Sequence, residues 1–134
     1  MTMACGVFGG ANNPPDTMPR YLRIENLDIR SARPPYTFTG RAGVPETYAL
    51  NAAALYIEKG ENITLRSLTL HDSGNGLFIG SSNENVTRDI LVDGNYIYDN
   101  GNLGSGFEHN SYTDRKSTRL NSSHSRASRM PSSA

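Results

Sequence analysis

The sequence predicts an all-β fold: a right-handed parallel β-helix (solenoid) of about three coils, with a disordered C-terminal tail. Three observations predict it. One pattern of apolar spacing occurs three times, Gly- and Asn-rich turns follow the later copies, and none of these windows carries the 3.6-residue apolar stripe of a helix. One such repeat cannot bury its own apolar face, so stacked copies must bury it together.

The repeats predict two strands separated by a bend. The repeated segments are Ile24-x-x-Leu27-x-Ile29, Leu65-x-x-Leu68-x-Leu70 and Val92-x-x-Asn95-x-Ile97. Apolar alternation at the start of each predicts a half-buried strand, and the two-residue step after it predicts a bend and a second short strand. When like residues stack above like, the first positions form one aliphatic ladder and the last positions another. Right-handed crossover is the default for parallel strands.

Asn95 occupies the position that Leu27 and Leu68 hold in the other repeats. A side chain at that position points inward in the predicted stack. A buried amide needs hydrogen-bond partners, and the free backbone groups of a bend supply them. We therefore expect Asn95 to be buried and bonded to the backbone.

A third strand is expected after each turn. The turns read DSGNG from Asp72 and DNGN from Asp99, and Gly and Asn tolerate the left-handed conformations that tight turns require. The repeat distance is 27 residues from Leu65 to Val92. The expected third strands are residues 54–57, 77–79 and 106–109.

A long loop interrupts the first repeat interval, which is 41 residues from Ile24 to Leu65. The excess is residues 31–51, where three prolines exclude a central strand. Long loops on repeat scaffolds are often part of the binding face. Its aromatic residues Tyr36, Phe38 and Tyr48 either line a sugar site or pin the loop to the stack; Tyr36 and Tyr48 are candidate substrate-binding residues. Residues 1–19 are interpreted as a partial N-terminal coil and a turn.

The last 21 residues, DRKSTRLNSSHSRASRMPSSA, match the translation of a common short-read sequencing-library adapter in one frame. Segments of this kind are set aside before fold reasoning. We therefore expect residues 114–134 to be an artefactual, irregular tail, and residues 20–113 to be the repeat region of a longer natural protein. A piece of about three coils without caps is expected to be only marginally folded and to have no activity by itself.

Charge and hydropathy exclude several classes of partner. The chain has 13 basic and 13 acidic residues, but the tail holds five of the former and one of the latter, which leaves 8 basic and 12 acidic residues before it. The Arg/Ser-rich end is thus not evidence of nucleic-acid binding. No window approaches the roughly 18 apolar residues of a membrane span. Cys5 is the one cysteine, which excludes an internal disulfide.

Three segments carry a family resemblance: PRYLRIENLDIRSARPPYTFTGR, AAALYIEKGENITLRSLTLHDSGNG and ILVDGNYIYDNGN with GFEHNSYT after it. They resemble bacterial right-handed β-helix repeat proteins of the pectate-lyase-like superfamily, over about residues 6–113. The resemblance implies an extracellular or periplasmic protein that binds or cleaves a polysaccharide, an acidic one in the leading interpretation. That superfamily also includes non-catalytic members, so a carbohydrate-binding or cell-surface structural module is the alternative.

The resemblance also implies where chemistry could occur. Lyases of this fold use a Lys or Arg base, often with calcium held by carboxylates. Lys59, expected to be just exposed, is the candidate base, and Arg66 is a candidate substrate-binding cation. Stacked corners would bring Asp72 and Asp99 together as calcium ligands. Two carboxylates alone supply too few of the six to eight oxygens that calcium requires, and corner Asp residues also cap turns.

The densest polar group is EHNSY, which begins at Glu108. Glu108 and His109 are candidate general acid and base residues, since both can exchange protons near neutral pH when their surroundings tune them. Strand alternation would place them on opposite faces. The alternative is that one lies inside a polar ladder while the other is solvated.

Overall fold

The computed structural model describes residues 19–81 and 86–113, and the backbone of residues 120–123 and 126–127. Over these residues the chain is all-β and contains no helix. Its strands form three parallel sheets and one antiparallel pair, and none of the sheets closes as a barrel. No helix in this part of the chain could cross a membrane, by length or by hydropathy.

The strands of the described residues, in chain order, are β1 (Arg20–Glu25), β2 (Asp28–Arg30), β3 (Thr37–Thr39), β4 (Pro45–Thr47), β5 (Ala53–Ile57), β6 (Glu61–Arg66), β7 (Thr69–His71), β8 (Asn75–Ile79), β9 (Arg88–Asp93), β10 (Tyr96–Tyr98), β11 (Ser111–Thr113), β12 (Leu120–Ser123) and β13 (Arg126–Ala127). The first sheet has the order β1-β6-β9-β12, the second β2-β7-β10-β13 and the third β5-β8-β11. Each sheet thus gains one strand from each successive repeat.

The register confirms both predicted aliphatic ladders. Along the first sheet Ile24 pairs with Leu65 and Leu65 with Val92. Along the second sheet the partners are Ile29, Leu70 and Ile97. The members of these ladders belong to one hydrophobic cluster, except Ile24, which is partly buried and packs against it, and Leu65 and Leu70 are fully buried. Burial of like residues in register is what stabilises the stack, since no single repeat encloses a core.

The expected bend is present in every repeat, and a left-handed backbone makes it. Asn26, Ser67 and Gly94 have φ values of 57°, 52° and 61° at equivalent positions between the first and second sheets. One residue in this conformation turns the chain, and Gly and Asn adopt it at the lowest cost. The turn takes two residues, so the alternation of inward and outward side chains is out of phase between the two strands, as the spacing predicted.

The amide of Asn95 lies where the sequence placed it. The side chain is 2% exposed. Its Oδ1 accepts a hydrogen bond from the Leu68 backbone N–H at 2.8 Å, and its Nδ2 donates to the Leu65 carbonyl at 2.9 Å. Asn95 therefore connects its own repeat to the preceding one through backbone groups on either side of the bend.

The third sheet is partly as predicted. Residues 54–57 and 77–79 are confirmed as strand, but the expected strand at 106–109 is wrong, because the chain enters this sheet later, at β11. The Gly76 and Leu77 N–H groups bond to the carbonyls of His109 and Asn110, at 3.1 and 2.9 Å, and so set the register. Residues 106–109 belong to an exposed loop, where Phe107 is 90% exposed.

Residues 31–51 leave the stack, as their prolines predicted, and form a hairpin. Strands β3 and β4 pair antiparallel, with Thr37 opposite Thr47. Pro45 is the first residue of β4, a position that needs no ladder N–H. The hairpin pairs with none of the parallel sheets of the described residues.

The expectation of an irregular tail is wrong for the six tail residues whose backbone the structure describes. Strand β12 pairs parallel with β9, and β13 pairs with β10, so these residues extend two sheets and are not irregular. The open edge of a sheet offers unpaired N–H and C=O groups to any extended segment that reaches it. The expected partial coil at residues 1–19, apart from Pro19, lies outside the described residues, as do residues 114–119, 124–125 and 128–134.

Candidate functional site

An aromatic row runs across the outer face of the third sheet. Tyr56, Phe78 and Tyr112 are register partners on β5, β8 and β11. Alternation along the strand explains their direction: Leu55 and Ile57 are fully buried, so the residue between them points outward. Adjacent ring centroids are 4.7 and 4.8 Å apart, and the ring planes differ by 8° and 18°.

The aromatic row both stabilises the third sheet and forms an exposed surface. Stacked rings at this spacing contribute about 0.5–1.5 kcal/mol per pair beyond the area that they bury. Each shared ring face is covered by its neighbour, so the row presents ring edges and the phenol groups of Tyr56 and Tyr112 to solvent. Tyr112, the last ring of the row, is 41% exposed. An apolar body with polar tips is the surface that amphipathic ligands such as sugars require.

A cleft of about 270 Å³ lies along this row. Its described lining consists of Tyr56, Glu58, Phe78, Gly80, Ser81 and Tyr112. Gly80 lies against the aromatic row, because a Cβ there would be 3.3 Å from the Phe78 ring. The volume is just below the roughly 300–1,000 Å³ of typical small-molecule sites, so the cleft suits a short segment of a longer ligand.

Glu58 gives the cleft its charge and influences the phenol beside it. Burial, and secondarily the negative charge of Glu58, raises the pKa of Tyr56 above its ordinary value of 10.0. The phenol therefore stays protonated at physiological pH and can donate a hydrogen bond. With Glu58 as an acceptor, one wall of the cleft offers both hydrogen-bonding roles.

Glu108 and His109 lie at the edge of this surface, before β11. His109 is exposed, its backbone N–H donates to Asn75 Oδ1 at 2.8 Å, and its ring lies near-parallel to Tyr112 at 6.2 Å. Glu108 is half-buried, and its buried Oε2 has no hydrogen-bond partner among the described residues. Because both residues lie in a loop, the expected placement on opposite faces of a strand does not apply.

Lys59 is buried, with 6% of its surface exposed, so its expected position just outside the stack is wrong. It follows β5, whereas His109 is level with Asn75 and Ala53 at the start of the same sheet. β5 itself spans Ala53–Ile57, so its first and last residues are about 13 Å apart. Lys59 and the Glu108–His109 pair are thus too far apart to act on one bond.

The loop aromatics hold the hairpin in place. Tyr48 is 7% exposed, and its ring centroid lies 4.7 Å from that of Phe38. The Tyr36 hydroxyl donates to Asp72 Oδ2 at 2.8 Å. These contacts favour the pinning interpretation over a sugar site formed by Tyr36 and Tyr48 together, because Tyr48 is buried and the Tyr36 hydroxyl is bonded, although the Tyr36 ring is 42% exposed.

Asp72 and Asp99 stack as predicted but do not fit calcium. The Asp72 N–H bonds to the Asp99 carbonyl at 3.2 Å, so the two corners are adjacent. However, the Asp72 carboxylate already bonds to Ser31 and Tyr36 and forms an ion pair with Arg33. A guanidinium on the carboxylate repels a dication, and no group of three metal-ligating side chains occurs in the described part of the chain.

Arg66 belongs to a ladder of ion pairs on the outer face of the first sheet. Its Nε lies 3.0 Å from Asp93 Oδ2, and its Nη1 lies 3.8 Å from Glu25 Oε1. A second ladder joins Arg20, Glu61 and Arg88, where Glu61 lies between the two guanidinium groups at 2.9 and 2.7 Å. Arg66 is therefore engaged with neighbouring repeats, on a different sheet from the aromatic row.

The ion pairs of Glu61 should make the thermal stability of the fold depend on pH in the acidic range. Hydrogen bonds from Arg88 and Arg20 lower the pKa of Glu61 below its ordinary value of 4.5. A lowered pKa in the folded state stabilises the fold above the unfolded-state pKa, and this stabilisation is lost as the pH falls through the folded-state value. We expect Glu61→Gln to melt at a lower temperature than the wild type at neutral pH, and the difference to shrink below about pH 4.5.

Thermal melts across this pH range, monitored by circular dichroism, test the expectation. Glu46→Gln, which removes an exposed carboxylate of the hairpin, is the control for net charge. A difference between Glu61→Gln and the wild type that is constant with pH would contradict the role of the carboxylate.

Comparisons with known proteins found no relative of this chain. No family model, no curated protein and no solved structure matches this chain. The geometry of the described residues must therefore support any functional conclusion.

The sequence interpretation missed the aromatic row, and its signal was present. Tyr56 and Phe78 each lie between two aliphatic residues, in Leu55-Tyr56-Ile57 and Leu77-Phe78-Ile79. The third member was hidden by the wrong strand at 106–109, which shifted Tyr112 out of alignment. Had β11 been predicted at Ser111, the three aromatics would have formed one column.

Proposed function

We propose that the chain is part of a right-handed parallel β-helix protein whose third sheet binds a polysaccharide without cleaving it. The observation that carries this proposal is the aromatic row beside a cleft with both donors and acceptors. Sugars combine apolar C–H faces with dense hydroxyl groups, and this surface pairs aromatic rings with a carboxylate and phenols.

The sheet architecture supports the solenoid part of the proposal. Three parallel sheets each receive strands from successive repeats, with like residues in register. Side-chain amides connect the repeats, as Asn95 does between the second and third. An elongated wall of this kind suits an extended polymer, because equivalent positions recur at the spacing of about 4.8 Å between neighbouring strands.

Binding is favoured over cleavage by where the candidate catalytic groups lie. None of the candidates is among the described lining residues of the cleft. Lys59 is buried and Arg66 is on another sheet, while the neighbouring Glu108 and His109 lie in the loop before β11. General acid and base groups must reach the same bond of the substrate. The Asp72 corner does not fit calcium, so no step is assigned to a metal. An exported location, extracellular or periplasmic, is the one in which such a polymer would be met.

The test is binding of the 134-residue chain to soluble polysaccharides by isothermal titration calorimetry, using a neutral glucan, a neutral xylan and polygalacturonate. We expect Tyr112→Ala to bind about five- to tenfold more weakly than the wild type, the size of effect that a lost aromatic contact of about 1 kcal/mol produces. Tyr21→Ala, which removes an equally large and more exposed ring from the first sheet, should bind as the wild type does.

Two results would contradict this proposal. Equal affinities for wild type and Tyr112→Ala, in a variant whose circular dichroism spectrum is unchanged, would remove the aromatic row from the site. Release of ultraviolet-absorbing unsaturated uronate from polygalacturonate would show cleavage and support the lyase alternative.

A further inference from the structure

We propose that the cleft selects neutral polysaccharides and rejects uronate polymers, and that Glu58 is the residue that sets this choice. The inference rests on the proposed function and adds the chemical class of ligand. It departs from the acidic polymer that the sequence interpretation favoured, because the charge among the described lining residues of the cleft has the wrong sign for such a ligand.

The described lining of the cleft carries negative charge. Glu58 is the one charged side chain among its described lining residues, and no Lys or Arg lines it there. Lys59 follows Glu58 in the chain, but it is buried and does not contribute to the lining. The arginine ladders lie on the first sheet and are paired with carboxylates.

This negative charge opposes binding of an acidic polymer. A uronate carboxylate in the cleft would lie within a few ångströms of the Glu58 carboxylate, and like charges at that distance weaken binding about five- to tenfold even with solvent screening. The charge of Glu58 is felt within the cleft, since it helps to raise the pKa of Tyr56.

A neutral sugar gains from the same group. Its hydroxyls donate to the carboxylate in charge-assisted hydrogen bonds, which are roughly twice as strong as neutral ones. The protonated Tyr56 phenol donates in return to a ring or hydroxyl oxygen, while the exposed edges of the aromatic row make van der Waals contact with the sugar. Glu58 thus favours one class of polymer and opposes the other with one charge.

The deciding variant is Glu58→Gln, which keeps the length and shape of the side chain and removes its charge. We expect it to bind polygalacturonate about five- to tenfold more tightly than the wild type at low salt, and the neutral glucan or xylan a few-fold more weakly. Glu46→Gln changes the net charge by the same amount on the exposed hairpin, so it should leave both affinities unchanged.

Salt gives a second measurement that needs no variant. Raising the ionic strength from about 0.01 M to about 0.15 M shortens the Debye length from about 30 Å to about 8 Å. Repulsion by Glu58 predicts that polygalacturonate binding to the wild type becomes tighter over this range, while neutral polymers are unaffected. Weaker polygalacturonate binding at higher salt would show net attraction and overturn the inference.

The outcomes separate the inference from the proposed function. If the wild type binds none of the three polymers, the proposed function fails and the inference fails with it. If it binds polygalacturonate at least as tightly as the neutral polymers, binding stands and the inference is overturned. If the preference is neutral but Glu58→Gln leaves the ratio unchanged, the role assigned to Glu58 is overturned.

Discussion

Leu70→Ala should lower the free energy of unfolding by about 3–5 kcal/mol, the range found when a fully buried leucine leaves a cavity. Leu70 is fully buried at the centre of its ladder, with Ile29 on one side and Ile97 on the other. Truncation therefore removes contacts to both neighbouring repeats at once. In a domain of about 5–15 kcal/mol total stability, this loss is a large fraction of the whole.

Urea unfolding followed by circular dichroism measures this change. Leu103→Ala is the matched control, because Leu103 is 77% exposed in the loop before β11 and its truncation should change stability by less than about 0.5 kcal/mol. A loss at Leu70 no larger than that at Leu103 would contradict a core built from stacked ladders.

The ladders were predictable because their signal repeats. An apolar residue at one position is weak evidence, but the same spacing at Leu65 and Val92 fixes which residues lie above one another once the strands are parallel. The bend was predictable for the same reason, since the phase shift occurs in every copy. Register followed from sequence wherever the interval between repeats was constant.

Strand β11 was not predictable, because the interval changes after Asp99. The turn there is followed by a longer loop, and the sequence offers Gly106–His109 and Ser111–Thr113 as alternative extended segments. The choice depends on tertiary hydrogen bonds: the Asn110 side chain accepts from the Asn100 N–H at 3.2 Å, and its carbonyl accepts from Leu77. Contacts of this kind are not visible in a local pattern.

The candidate site was predicted less well than the fold. Candidates chosen by residue type, such as Asp72 and Arg66, prove to be engaged in ion pairs that hold loops and repeats together. Charged side chains on a repeat protein meet their counterparts in the next repeat, and the partner is known only when the register is known. The aromatic row depends on the same register, so one misplaced strand concealed it.

Asn100 makes the same kind of buried amide hydrogen bonds at a corner that Asn95 makes at the bend. It is 3% exposed, its Oδ1 accepts from the Ser73 N–H at 3.1 Å, and its Nδ2 donates to the Leu70 carbonyl at 3.0 Å. Ser73 Oγ in turn accepts from the Ala32 N–H at 3.1 Å. Polar side chains thus link successive repeats at the bend and at the corner, where the strands themselves do not pair.

Asn95→Ala should lower the free energy of unfolding by about 1–3 kcal/mol, because it leaves the buried Leu68 N–H without its hydrogen-bond acceptor. The Asn95 amide lies 2.8 Å from that N–H and also donates to the Leu65 carbonyl at 2.9 Å. The measurement is urea unfolding, and Asn51→Ala is the control at an exposed asparagine.

Asn95→Leu separates hydrogen bonding from packing at this position. Leucine would continue the column of Leu27 and Leu68 with the same branching as asparagine, so a stack held together by apolar burial alone would gain stability from the change. The Leu68 N–H stays buried without an acceptor in that variant, at a cost of about 1–3 kcal/mol, and the larger methyl groups must fit the space of an amide, which together offset the roughly 1.5–3 kcal/mol that burial of a leucine side chain contributes. We expect Asn95→Leu to recover part of the loss seen with alanine and to remain less stable than the wild type. If the variant were more stable than the wild type, water or a local backbone shift would have to supply the hydrogen bonds of the buried backbone groups at the bend, and the amide would be dispensable.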